Sequence, residues 1–177
     1  MKNLLFLSSR ILKANFHSVL LSLCILCLAS CSATQYGPTV RSGGYSTLPM
    51  GDNIYRVYFG SNAHTSKEVS ARFLLRRCAE LTLEQGKRYF ILNSQQSDHT
   101  VGRGPMNTIS TWPSGTAIIT IVDKLEEGKA TIDALMVIEQ TNGVAKGRLS
   151  TKARVNYKKR KDEWNEQAGE ELSNKNQ

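Results

Sequence analysis

The sequence predicts a two-layer α+β domain with a mainly antiparallel sheet of three to five strands, one long amphipathic helix, a second short helix and a C-terminal tail that is disordered or helical. Three observations predict it. A run dense in β-branched and aromatic residues, Ile54-Tyr55-Arg56-Val57-Tyr58-Phe59, ends at Gly60. A capped stretch with helical apolar spacing follows. Apolar runs then return at residues 89–92 and 117–122. Strands, a long amphipathic helix and more strands pack most simply with the helices on one sheet face. At 177 residues the chain has room for one domain with a modest core.

That domain is expected over residues 52–143. Ahead of it, residues 1–16 carry Lys2, Arg10 and Lys13 with no acid, residues 19–28 are apolar, and the small residues Ala29 and Ser30 follow. This is the layout of a secretory signal peptide over residues 1–30. At a rise of 1.5 Å per residue the apolar run makes a helix of roughly 15 Å, about half the hydrocarbon thickness, which argues against a permanent membrane span. Leu28-Ala29-Ser30-Cys31 resembles the lipobox of bacterial lipoproteins, in which an aliphatic residue and two small ones precede the cysteine whose sulfur takes a diacylglycerol before cleavage. The resemblance implies lipidation of Cys31, peptidase recognition of Leu28, Ala29 and Ser30, and membrane attachment through several acyl chains. An ordinary signal peptide that happens to end in Ser-Cys is the competing reading. Ser32 is not the aspartate that, by the same analogy, retains many such proteins at the inner membrane, so the outer membrane facing the periplasm is expected.

Residues 31–51 are rich in Gly, Ser, Thr and Pro and lack apolar periodicity, which reads as a flexible tether. In the first strand Tyr55, Val57 and Phe59 share a face. Thr65-Ser66-Lys67-Glu68 fits a capping box, and the helix should run over residues 66–85 with Gly86 as its C-terminal cap. At 100° per residue Ala71, Leu74, Leu75, Cys78, Leu81 and Thr82 form one stripe, while Arg72, Arg76, Arg77, Glu80 and Glu84 lie largely opposite. Phe73 falls with Val69 on that polar side, to be covered by a neighbouring segment or by a partner. Residues 89–92 make a second strand, 93–106 a polar loop, 117–122 a third strand, with a weaker one at 108–112. Residues 132–140 read as a short helix or a strand, with length and the following Asn142-Gly143 favouring the helix.

The domain holds ten bases and ten acids and is neutral, whereas residues 144–161 carry eight bases and no acid, and residues 162–177 five acids and one base. Such blocks read as disordered or weakly helical interaction tails, with an edge strand at 152–158 as the alternative. Lys146, Arg148, Lys152, Arg154, Lys158, Lys159, Arg160 and Lys161 are the candidate contacts to an anionic surface such as lipid headgroups; the competing reading has the acidic end fold back and neutralise them.

Tyr55-x-Val57-x-Phe59-Gly60-x-Asn62, Thr65-Ser66, Leu74-Leu75-Arg76-x-x-Ala79-Glu80-Leu81-Thr82, Gly86 and Tyr89-Phe90 together resemble an uncharacterised family of small proteobacterial lipoproteins with a similar lipobox and glycine-rich tether. The likeness covers residues 31–93. It implies lipoprotein character and an α+β fold, and nothing catalytic. Cys78 stands where the family pattern leads one to expect a small residue such as alanine, and the long basic tail also departs from it.

Of four cysteines, Cys24 and Cys27 lie in the apolar run and Cys31 ends it, which leaves Cys78 without a partner for a disulfide or a metal cluster. His64 and His99 sit in expected loops with no third ligand nominated, so no metal or other cofactor is expected. Gly102-Arg103-Gly104-Pro105 reads as a mobile turn more readily than as an anion-binding loop. The charged helix face reads as solvated, laced by pairs such as Arg76 with Glu80. Export removes nucleic acid as the ligand of the basic tail. A non-enzymatic interaction module, docked to the membrane and to another envelope protein, is the expectation; a cell-wall-acting enzyme with an unrecognised site is the alternative.

Overall fold

Among the described residues, five antiparallel strands in the order β1-β2-β4-β3-β5 carry two helices on one face, and a third helix packs against those two. The computed structural model describes residues 32–40, 42–103, 109–125, 128–145 and 149–175, and the folded unit starts at Ala33. The strands are β1 (Gly44–Gly51), β2 (Ile54–Gly60), β3 (Tyr89–Arg103), β4 (Ile109–Val122) and β5 (Thr131–Asp133). The helices are α1 (Lys67–Glu84), α2 (Ala134–Thr141) and α3 (Thr151–Lys175). The α+β class and the helix-on-sheet arrangement are those the sequence predicts.

Val57 and Phe59 of β2, Phe90 of β3, and Ala117, Ile119 and Ile121 of β4 supply the buried sheet face. Leu74, Cys78 and Leu81 of α1 close over it, with Leu135 and Ile138 of α2 in the same core. Alternation along each strand sends every second residue to the core, which accounts for the Val57–Phe59 and Ala117–Ile121 spacings.

The expected tether is instead fastened to the fold. Gly44–Gly51 pairs with β2 as an edge strand, and Tyr36 and Thr34 are buried. An edge strand needs only one apolar face, and here Tyr45 and Thr47 provide it, so no continuous apolar run marks it. Pro49 is tolerated because an edge strand leaves one set of backbone groups unpaired. Gly43 and Gly44 have φ of 112° and 130°, and a Cβ on Gly43 would stand 2.5 Å from the Gly60 carbonyl oxygen. These glycines admit a tight turn. Asp52 and Asn53, with φ of 47° and 61°, make the type I′ hairpin turn into β2.

Two other expectations are corrected. The polar loop at 93–106 is largely the second half of β3, and the weak strand at 108–112 is continuous with the confident one as β4. Polar residues on a hairpin exposed on both faces mimic a loop in the sequence. The helix cap is Ser66, whose hydroxyl accepts from the Val69 amide at 3.2 Å. Thr65 instead accepts from the Thr34 amide. At the other end Gly86 N–H donates to the Leu83 carbonyl and Lys87 N–H to that of Thr82, a Schellman closure. Residues 131–141 hold both alternatives, a three-residue strand and then α2, with the Asp133 carboxylate accepting from the Leu135 amide at the junction and pairing with Arg88 at 2.7 Å.

The tail is helical. Ala153 of α3 is fully buried, the Asn156 amide donates to the Leu83 carbonyl at 2.7 Å and Arg160 to that of Gly86 at 2.6 Å. The first bond adds a second donor to a carbonyl that already accepts from Gly86 N–H, and the second satisfies the carbonyl of Gly86, just past the end of α1. Residues 152–158, the edge-strand alternative, belong to this helix.

Candidate functional site

Most of the charged face of α1 is not solvated; of its five residues Arg72 alone stays exposed. Arg76 and Glu80 are 2% and 1% exposed, Arg77 is buried too, and Phe73 is covered by Tyr36 at a ring separation of 5.4 Å. α1 is enclosed by the sheet, by residues 34–47 and by α2 and α3, so a polar face of the helix became an interior one. The expected ion-pair lacing exists, but under cover.

Arg76 donates to the Thr141 hydroxyl at 3.1 Å and to the Asn142 side chain at 3.2 Å, and its guanidinium lies 5.3 Å from the Tyr36 ring centre. Its Nε meets Glu80 Oε1 at 3.4 Å without an aligned hydrogen bond, so this pair holds by charge. Arg77 grips Glu84 with two bonds of 2.9 and 3.1 Å, donates to the Thr47 hydroxyl and stacks 4.5 Å from the Tyr45 ring centre. The Tyr36 hydroxyl donates to Glu80 Oε2 at 2.5 Å, and Ser150 donates to Glu84 at 2.7 Å. Two arginines and two glutamates thus bind the N-terminal segment, β1, α2 and the start of α3 to one helix. Charges buried this deeply are tolerated because each has a partner.

Burial pushes the Glu80 carboxyl above its ordinary range; the Tyr36 hydroxyl and the two arginines oppose this, but Arg77 is committed to Glu84 and compensates only in part. Burial and then the Glu80 charge raise Tyr36 well above its ordinary value. For Glu84 burial raises the pKa, but the bonds from Arg77 and Ser150 outweigh it and hold the carboxyl low. Burial drives the Cys78 thiol up to about 12. Tyr36, Glu80 and Glu84 bind elements together, and Cys78 packs in the core beside them.

At the end of the sheet where β2 finishes, Thr34 is stitched to the start of α1. Its amide donates to the Thr65 hydroxyl at 2.9 Å, and its own hydroxyl donates to the Ser42 carbonyl and accepts from the Asn62 amide, both at 2.8 Å. Ser61 donates through backbone and side chain to the Pro113 carbonyl of β4. Two clefts open toward this end. One of about 130 Å³ lies between the first half of α1 and the β3–β4 hairpin, lined by Lys67, Ser70, Leu74, His99 and Pro113. The other, about 230 Å³, is lined by Val40, Tyr58, Asn62, Thr100 and Trp112. Neither reaches the buried charges.

Leu28, Ala29, Ser30 and Cys31 lie outside the described residues, as do Lys146 and Arg148. The other six bases of the basic block lie on α3. Arg160 and Lys161 are turned to the domain, Lys161 pairing with Glu139 at 2.5 Å, while Lys152, Arg154, Lys158 and Lys159 are exposed. Within the acidic end, Glu163 pairs with Arg160, its neighbour on the same helix. His64 is exposed in a turn, and His99 is exposed on β3 rather than in a loop. Among the described residues no three His, Cys, Asp or Glu gather in a way that could hold a metal ion. Tyr36, Tyr45, Thr47, Thr141 and Asn142 were invisible to helix periodicity; two tyrosines inside a glycine-rich stretch were the one sign of them. Comparison with protein-family models, with curated proteins and with solved structures finds no match to this chain.

Proposed function

We propose that this chain is the precursor of a bacterial envelope lipoprotein, held on a membrane by lipid on Cys31, whose domain works by binding another envelope component rather than by catalysis. The observation that carries the reading is the four-residue box Leu28-Ala29-Ser30-Cys31 closing a short apolar run behind a basic start. The likeness of residues 31–93 to small proteobacterial lipoproteins points the same way, and Ser32 favours the outer membrane, facing the periplasm.

The Cys31 sulfur, losing its proton, displaces the phosphorylated headgroup of a diacyl phospholipid at the glycerol C–O bond to form a thioether, the headgroup phosphate leaves, and hydrolysis of the Ser30–Cys31 peptide bond then frees the amino group of Cys31. Cys31→Ser is expected to abolish incorporation of labelled acyl chains and to release the protein from membranes on salt washing, with the domain still folded. Continued labelling, or retention after the wash, overturns the reading.

A binding role draws support from where the displaced ionisable groups lie. Tyr36, Cys78 and Glu80 are sealed in the interior as fasteners, while the exposed chemistry is a basic helix face. On α3, Arg154, Lys158 and Lys159 stand around the exposed Val155, with Asp162 at the edge, a predominantly basic surface suited to an acidic partner with a small apolar patch. α3 docks at the C-terminal end of α1, and the 18-residue length of α1 puts that end about 27 Å from Thr65 and Thr34. We assign the basic face of α3 to an acidic partner in the envelope.

A further inference from the structure

We infer that the cleft between the first half of α1 and the inner face of the β3–β4 ribbon is a binding site for a small monocarboxylate. The site is separate from the basic face of α3 and does not depend on the lipid anchor. From Ser94 to His99 the residues of β3 pair in unbroken register with Ile118 to Pro113 of β4. Ala117 is a core residue, so alternation turns Gln95, Ser97 and His99 to the core side of the sheet and Asp98 to the other side. A sheet face beneath a helix is ordinarily apolar; this part of it carries an amide, a hydroxyl and an imidazole. Across the cleft α1 presents Lys67, Ser70, Ala71 and Leu74, one stripe at helical spacing.

Small residues open the space. Ser70 and Ala71 leave room on the helix side, and on the sheet side a Cβ at Gly115 would come within 3.0 Å of Leu74 Cδ2. The resulting volume of about 130 Å³ is below the roughly 300–1,000 Å³ of sites for drug-sized ligands, so it selects a smaller one. Ser70 supplies the second observation. It is 3% exposed and its hydroxyl makes no hydrogen bond with any described residue, so the surface it keeps opens onto the cleft. An unpaired hydroxyl is costly to bury, and a ligand that accepts its proton removes that cost. Lys67 is exposed, forms no ion pair with a described residue and brings a positive charge to the rim. The ammonium of Lys67, the hydroxyls of Ser70 and Ser97 and a ring N–H of His99 together are donors suited to one carboxylate. Ala71, Leu74 and Pro113 leave the rest of the lining apolar, which suits a short hydrocarbon body and sets a carboxylate apart from inorganic phosphate.

The test follows amide resonances of the full-length protein in detergent micelles. Propionate stands for a free acid, N-acetyl-alanine for the carboxylate end of a peptide, and propionamide for the uncharged counterpart, with inorganic phosphate as the competing anion. Both carboxylates are expected to shift amides of residues 67–74, 95–99 and 113–115 saturably, and the tighter of the two identifies the source; propionamide should leave these amides in place. Lys67→Gln, at an exposed position, is expected to weaken binding about fivefold, as for the loss of one exposed ion pair. Ser97→Leu, which puts a larger side chain into the cleft from an exposed strand position, is expected to abolish binding with the rest of the spectrum unchanged. Shifts that do not saturate, that spread over the surface, or that survive Ser97→Leu overturn the site. Equal shifts with propionamide, tighter binding of phosphate, or an affinity untouched by Lys67→Gln overturn the assignment to a carboxylate.

Discussion

Cys78 shows how a single side chain is set by its surroundings. It lies 1% exposed in the middle of the apolar stripe of α1, and burial lifts its thiol to about 12. Thiolate is the reactive form, so native protein is expected to label slowly with thiol reagents, at a rate that follows unfolding. Cys78→Ala should cost little, as a small hydrophobe replaced by another, while Cys78→Arg should prevent folding; rapid stoichiometric labelling of native protein would contradict this. The two glutamates of the buried network respond to pH in opposite senses. Glu84 is held below its ordinary value of 4.5, so its contribution is complete above that value and is lost as pH falls through the folded pKa. Glu80 is raised, so its contribution is complete below 4.5 and is lost as pH rises through the folded pKa. Urea midpoints measured against pH should therefore show Glu84→Gln flattening the acid limb, with Glu80→Gln leaving that limb in place.

Helix α1 depends on its neighbours at both ends. Its last turn contains no base, so no cation of its own offsets the partial negative charge of its C-terminal carbonyls. α3 provides one: Arg160 donates to the Gly86 carbonyl, and Asn156 to that of Leu83. Arg160→Ala is expected to loosen α3 from α1 and to cost about 1.5 kcal/mol, the low end of the range for hydrogen bonds made by charged groups, since the side chain is a third exposed. Hydrogen exchange should then rise at residues 83–87 and along α3, with β2 and β4 unchanged. Uniform loss of protection across the sheet would place the residue in the global fold instead.

Across the whole molecule, the fastened N-terminal segment and the basic helix face lie at opposite ends of α1. Replacing Lys158 and Lys159 together by Glu removes two positive charges and adds two negative ones at exposed positions, where surface substitutions usually change stability by less than about 0.5 kcal/mol. The pair of substitutions is expected to weaken salt-sensitive crosslinking of the lipidated protein to its envelope partner while leaving membrane attachment unchanged. Unaltered crosslinking would remove the basic face from the binding surface.

The α+β class, β2, the span of α1 and its Gly86 closure, and the burial of Cys78 were all legible in the sequence, because each follows from short-range rules: alternation in strands, 3.6-residue spacing in helices, and the left-handed backbone of Gly86 at φ 74°. Only the tertiary structure decided the fate of Arg76, Arg77 and Glu80. Periodicity can say that these residues share a side of α1, but whether that side meets water depends on residues 34–47, α2 and α3, which come from far along the chain. The segment read as a tether was misjudged for the same reason. Tyr36 and Tyr45 are anchors only because two arginines and a glutamate wait on α1, and an edge strand held by such distant contacts leaves almost no periodic trace of its own.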